Sequence, residues 1–144
     1  MLERDYIMRL IREFMAALAR MLEKKEIEGR REALRKLYEQ YVGPYDFYHI
    51  MSVDDIMQSF TKYPESERLY RMEMLAELYY AEADMLSEPV RGNIISLAIN
   101  LFSFIDRNSK TFSFERKSKM EKLKELRICR RASSIRLIGL IRLI

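Results

Sequence analysis

The sequence has one cysteine, one histidine, three prolines and four glycines among its 144 residues. Each scarcity excludes something. A lone cysteine, Cys129, rules out an intramolecular disulfide framework and fits a reducing, cytoplasmic setting. So little Gly and Pro leaves too few turns for an antiparallel β protein, whereas a helical bundle needs only a handful of short connections. Charge also interrupts every apolar run. The longest stretch without Asp, Glu, Lys or Arg, Gly92 to Ile105, falls short of the roughly 20 apolar residues that cross a bilayer. No transmembrane segment is therefore expected, and Met1 to Arg12, which carries charges of both signs, does not read as a signal peptide.

The same scarcity removes the common catalytic constellations. His49 has no second His or Cys near it in sequence, and no Glu-x-x-His element is present for a helical di-metal site. It reads as a polar residue within an aromatic connection. Cys129 lies in a basic segment that can lower its pKa, but a nucleophile also needs a base beside it. No Gly-rich phosphate loop, nucleophile elbow or dinucleotide fingerprint occurs. The adjacent Asp54 and Asp55 are explained by a helix start. Glu73, Glu77 and Asp84 read as a solvated acidic face. No catalytic, metal-binding or cofactor-binding residue is assigned, no cofactor is implied, and enzyme activity is not expected.

What is abundant is helix-forming. Met (ten) and Leu are plentiful, and the 33% charged fraction is mostly Lys, Arg and Glu. A length of 144 residues is one domain by the usual prior, with enough chain to bury a core unaided. Ile7, Leu10, Ile11, Phe14, Ala17, Leu18, Met21 and Leu22 recur at spacings of three and four, predicting a first helix from Leu2 to Ile27. Gly29 reads as its break. A second helix carries Ala33, Leu34, Leu37, Tyr38 and Tyr41, and stops at Gly43-Pro44 because Pro disfavours helix in the residue before it.

Tyr45 to Met51 lacks a clear period and reads as a connection packed on the core. Ser52-Val53-Asp54-Asp55 reads as a capped helix start, since a hydroxyl can accept from orphan amides and acids favour the positive helix end. Pro64 suits the first turn of the next helix, Glu65 to Leu86, whose two apolar ridges imply burial on two sides. Pro89 opens a helix that ends at Asn108-Ser109, and a last one starts near Ser113 with Met120 and Leu123. The expectation is an all-α fold of five or six antiparallel helices, either tetratricopeptide-like hairpins or an irregular helical bundle.

Leu69 to Leu123 resembles a tetratricopeptide-like unit, through Leu75, Leu78, Tyr79 and Ala83 and then Ala98, Leu101 and Phe102. The characteristic small residue and terminal proline are not at their usual places. The opening Met1-Leu2-Glu3-Arg4-Asp5-Tyr6-Ile7-Met8-Arg9-Leu10-Ile11 is similar to a family of small bacterial all-helical proteins of unknown function. That resemblance runs to about Leu126. It implies a tetratricopeptide-like helical fold and supplies no activity.

Charge divides the chain. Met1 to Asp106 has 14 Lys and Arg against 19 Asp and Glu, net −5; Arg107 to Ile144 has 12 against 3, net +9. The organisation expected is a helical domain over 1–126 and a basic aliphatic tail over 127–144, where Ile-Arg-Leu-Ile occurs twice around Gly139-Leu140. The tail has three readings: a basic element for nucleic acid or an anionic surface, an aliphatic segment buried in a partner or on the bundle, or a segment foreign to the fold. Its apolar residues surround a helical axis, which disfavours a membrane-surface helix, and it lacks aromatics for base stacking. Packing or self-association leads, with the foreign segment next.

The aromatic group Tyr38, Tyr41, Tyr45, Phe47, Tyr48 either seals the loop between helices or binds a partner. The candidate partner-binding residues are Tyr41, Tyr45, Tyr48, Arg127, Arg130 and Arg131. The function these features favour is a noncatalytic protein–protein interaction module, with a protein partner or a second copy of the chain, as a homodimer, on its surface. The alternative is nucleic-acid or anionic-surface binding through the basic C-terminal region.

Overall fold

A computed structural model of the chain describes residues 2–127. They form a helical bundle, with no strand among the described residues: α1 (Leu2–Leu22), α2 (Ile27–Tyr41), α3 (Tyr45–Ile50), α4 (Val53–Ser59) continued by a 3₁₀ turn (Phe60–Lys62), α5 (Glu65–Ala83), α6 (Val90–Asn108) and α7 (114–127). No helix among them is long and apolar enough to cross a membrane.

The count of seven α-helices among the described residues exceeds the expected five or six because Tyr45–Ile50 is helical rather than a plain connection. Six residues make under two turns, too short for a 3.6-residue period to show. Two boundaries also differ. The first break falls after Leu22, and Gly29 lies inside α2. The residues after Leu22, Glu23-Lys24-Lys25-Glu26, offer no apolar side chain to hold another turn on the core. Arg30 Nε instead donates to the Lys24 carbonyl and fastens the corner. Pro64 and Pro89 stand at N-caps, one position before the first helical turn. The other punctuation behaves as expected. Ser52 Oγ accepts from the Asp55 amide at 3.2 Å, and Ser113 Oγ from the Arg116 amide at 3.2 Å, each closing an orphan donor of its helix.

Helix α5 is the centre. Every residue from Met74 to Tyr79 is buried, because α1, α2 and the 3₁₀ turn pack on it, α6 forms a hairpin with it, and α7 lies along it. A helix buried all round must hide its polar residues too. Glu67, Glu77 and Glu82 are accordingly buried, so of the solvated acidic face expected at Glu73, Glu77 and Asp84 only Asp84 is exposed, with Glu73 half-buried and Glu77 buried. The apolar stripes of α1, α2 and α6 meet α5 as one core containing Phe14, Leu37, Tyr38, Leu75 and Phe102. Gly43, at φ +157°, ends the α2 corner; a Cβ there would meet the buried Tyr48 ring at 3.1 Å.

Candidate functional site

Two constellations carry chemistry beyond apolar packing. The first is built on Glu82, one turn below Leu78 and Tyr79 on α5 and 1% exposed. Three donors converge on its carboxylate. The Tyr38 hydroxyl donates to Oε2 at 2.7 Å, the Tyr45 hydroxyl to Oε1, and His49 Nε2 meets Oε2 at 2.8 Å. His49 Nδ1 faces the Tyr45 carbonyl at 2.6 Å, so both ring nitrogens meet acceptors. The rings reinforce this: His49 stacks on Tyr45 at 3.7 Å, Tyr38 sits edge-on to both, and the Arg35 guanidinium lies 4.3 Å over Tyr45.

Burial and the neighbouring Glu82 carboxylate push ionisation of Tyr38, Tyr45 and Tyr79 well above the usual tyrosine range. These hydroxyls therefore act as donors. Tyr79 donates to the Tyr48 carbonyl at 2.5 Å, which fixes α3 from its other side. Every donor in the cluster points at an acceptor within it. What it does chemically is hold α2, α3 and α5 together through a buried, satisfied polar knot.

The second constellation is a groove of about 230 Å³ between α1 and α5. Its floor is Ile11, Phe14 and Met74, and Met8 and Met15 form one wall. Those two methionines remain 40% and 37% exposed. Met8, Ile11 and Met15 stand three and four residues apart, a second apolar line on α1 beside the one that enters the core. The rim is acidic: Glu73 and Glu77 from α5, and Glu115 from the first turn of α7.

Helix α7 neutralises only part of that rim. Lys119 Nζ grips both oxygens of Glu77 at 2.6 and 2.7 Å. Arg116, 3% exposed, divides itself between Asp106 at 3.5 Å, Glu73 at 3.9 Å and the Thr111 carbonyl at 3.1 Å. Its Nε has no hydrogen-bond partner among the described residues. Burial raises the pKa of Glu73 from its ordinary value; Arg116 opposes the rise and Glu77 adds to it. Glu115 makes no ion pair among the described residues.

Of the residues singled out from sequence, Tyr41 and Tyr48 are buried in the core, Tyr41 edge-on to Phe14 at 5.3 Å. Tyr45 is half-buried and joins the Glu82 knot. Arg127 is the last described residue of α7, whereas Arg130, Arg131 and Cys129 lie outside the described residues. His49 is a polar residue of the aromatic segment, as its surroundings in sequence suggest, but its partner was not foreseen. Glu82 had a signal: Leu75, Leu78, Tyr79 and Glu82 share the spacing of one stripe, which puts an acid on a buried face. Among the described residues no group of three or more His, Cys, Asp and Glu is placed to hold a metal ion. Compared with protein-family models, with curated proteins and with solved structures, the chain has no match in any of the three.

Proposed function

We propose that this chain is a noncatalytic protein–protein interaction module and that its α1–α5 groove is the docking surface. The observation that carries the reading is Met8 and Met15, held partly exposed at helical spacing over an apolar floor while Ile7, Phe14, Leu18 and Met21 of α1 are buried. Apolar side chains kept in a concave, charge-rimmed position suit a partner's side chains. The volume, about 230 Å³, is below the roughly 300–1,000 Å³ usual for small-molecule sites, which favours a protein segment over a metabolite. The α5–α6 hairpin with α7 along α5 is read, within this proposal, as a tetratricopeptide-like unit of a small bacterial helical family acting in the cytoplasm.

Nucleic-acid binding through residues 107–144 is the competing class. Two of the cations that reading needs, Arg116 and Lys119, are turned inward onto acids of α5 and α6, which leaves less positive surface for phosphates.

The test compares affinity capture from the native host using the full chain and a Met8→Glu, Met15→Glu variant. A partner retained by the first and lost by the second supports the groove. Partners recovered equally by both sink it, and recovery of nucleic acid with steep loss in rising salt favours the competing class. Sedimentation of both chains adds the oligomeric state: dimerisation abolished by the variant identifies a second copy as the partner.

A further inference from the structure

The groove's chemistry specifies more than that a protein binds there. This inference rests on the interaction reading above and names the partner class for the same site. Three carboxylates stand at the rim, but their cations are unequally supplied. Glu77 has Lys119 in close bidentate contact. The cation nearest Glu73 is Arg116, at 3.9 Å, with Lys119 farther off, and Asp106 holds that same guanidinium at 3.5 Å. Glu115 has no ion pair among the described residues. One side of the groove thus carries two carboxylates short of positive charge, next to an apolar floor.

Keeping Glu73 half-buried has an energetic consequence within the free protein. Burial lifts its pKa, so the stability it contributes is present below its unfolded pKa and is lost as pH rises through its folded pKa. A packing role would be served better by an uncharged residue. A cation brought in by a ligand offsets that loss.

We propose that the groove binds an amphipathic helix of a partner protein that carries a Lys or Arg one turn from an aliphatic residue. The aliphatic side chain enters between Met8, Met15 and Met74, and the cation meets Glu73 and Glu115. Charge complementarity supports this partner locally, through the two carboxylates at the rim. The floor supports it as well. Methionine is flexible and polarisable, and Met-lined grooves accept amphipathic helices through anchors three to four residues apart. A volume of about 230 Å³ admits one or two aliphatic side chains, the number such a turn presents.

The test measures binding of three synthetic, fluorescently labelled peptides to the full chain by anisotropy. The first is a Leu/Lys amphipathic helix. The second has its Lys replaced by Glu. The third has the first peptide's composition in an order that destroys the amphipathic face. The expected result is saturable binding of the first alone. Glu73→Gln with Glu115→Gln is expected to weaken it by about tenfold or more, since charge-assisted contacts are lost, and Met15→Glu to weaken it similarly. Melting of each variant is measured alongside, and the exposed Glu115→Gln alone keeps lost binding separable from lost fold where the pair lowers the melting temperature.

Equal binding of the scrambled peptide would reduce the effect to bulk charge and overturn the proposal, as would undiminished binding by the Glu→Gln pair. Two results would reassign the groove to another occupant and overturn it too: peptide affinity rising sharply when the chain is truncated after Leu126, which makes the chain's own C-terminal residues the competitor, or a dimer that the Met15→Glu change dissolves. If host capture loses its partner with Met8→Glu, Met15→Glu while all peptides fail, the docking surface stands and only the basic-helix class falls. Failure of both experiments removes both.

Discussion

Replacing Tyr38 by Phe isolates one hydrogen bond of the Glu82 knot. The ring is fully buried and packs against Tyr45, His49 and Tyr79, and Phe preserves nearly all of that. What is lost is a donor at 2.7 Å from Glu82 Oε2. A hydrogen bond to a charged acceptor is worth about 1.5–3 kcal/mol. His49 Nε2 remains on the same oxygen at 2.8 Å, which keeps that oxygen satisfied and places the expected loss near the lower end, about 1.5 kcal/mol. For a domain of this size a loss of 1.5–3 kcal/mol corresponds to a Tm lower by about 3–12 °C. The assay is urea unfolding followed by circular dichroism, read as a shift of midpoint at unchanged slope.

Glu82→Gln is expected to cost at least as much, because three donors then face one amide oxygen and an amide nitrogen that can only donate. The double variant should lose less than the sum, with a coupling of about 0.5–3 kcal/mol, as for residues in one network. A Tyr38→Phe loss under about 0.5 kcal/mol, the range of ordinary surface changes, together with additivity in the double variant, would refute the view that Glu82 is held by converging donors.

Two glycines should respond with opposite sign in the same unfolding assay. Gly43→Ala meets the Tyr48 ring at 3.1 Å with φ at +157°, and is expected to destabilise by about 1–3 kcal/mol; a neutral result would mean the α2–α3 corner yields freely. Gly29→Ala stands inside α2, with its nearest neighbour the flexible Lys24 Cδ at 4.0 Å, and is expected to stabilise by up to about 1 kcal/mol. Alkaline titration tests the buried tyrosines. Tyr38, Tyr45 and Tyr79 ionise above their unfolded value, so their contribution is intact below about pH 10 and declines as pH rises beyond it, when the unfolded chain releases protons that the folded chain keeps. Tyrosinate absorbance should therefore rise together with loss of helix; full ionisation with the helical signal unchanged would contradict their burial.

The residues themselves determined the helical class. Stripes at spacings of three and four, Ser52 before an acidic pair, and Pro64 and Pro89 before apolar runs are local features, and local hydrogen bonding and side-chain direction translate them directly into helix. The stripe on α5 was wide enough to announce burial on two sides. Short-range pattern did not reach α3, which has too few turns to show a period and is held by Tyr79 and Glu82, more than 30 residues away. It also misplaced the first break, since Gly29 weakens a helix without ending it when the following stripe at Leu34, Leu37 and Tyr38 is anchored.

Tertiary structure decided which polar residues matter. Glu73, Glu77 and Glu82 are alike in sequence, acids on one helix. Their different fates follow from what packs opposite each: Lys119 on Glu77, a shared Arg116 on Glu73, and two tyrosines with a histidine on Glu82. The scarcity of His and Cys limits the familiar constellations whatever the fold. That the single histidine lies against a buried carboxylate, and that two methionines of α1 line an under-neutralised groove, depend on the contacts made when α1, α3 and α7 close on α5.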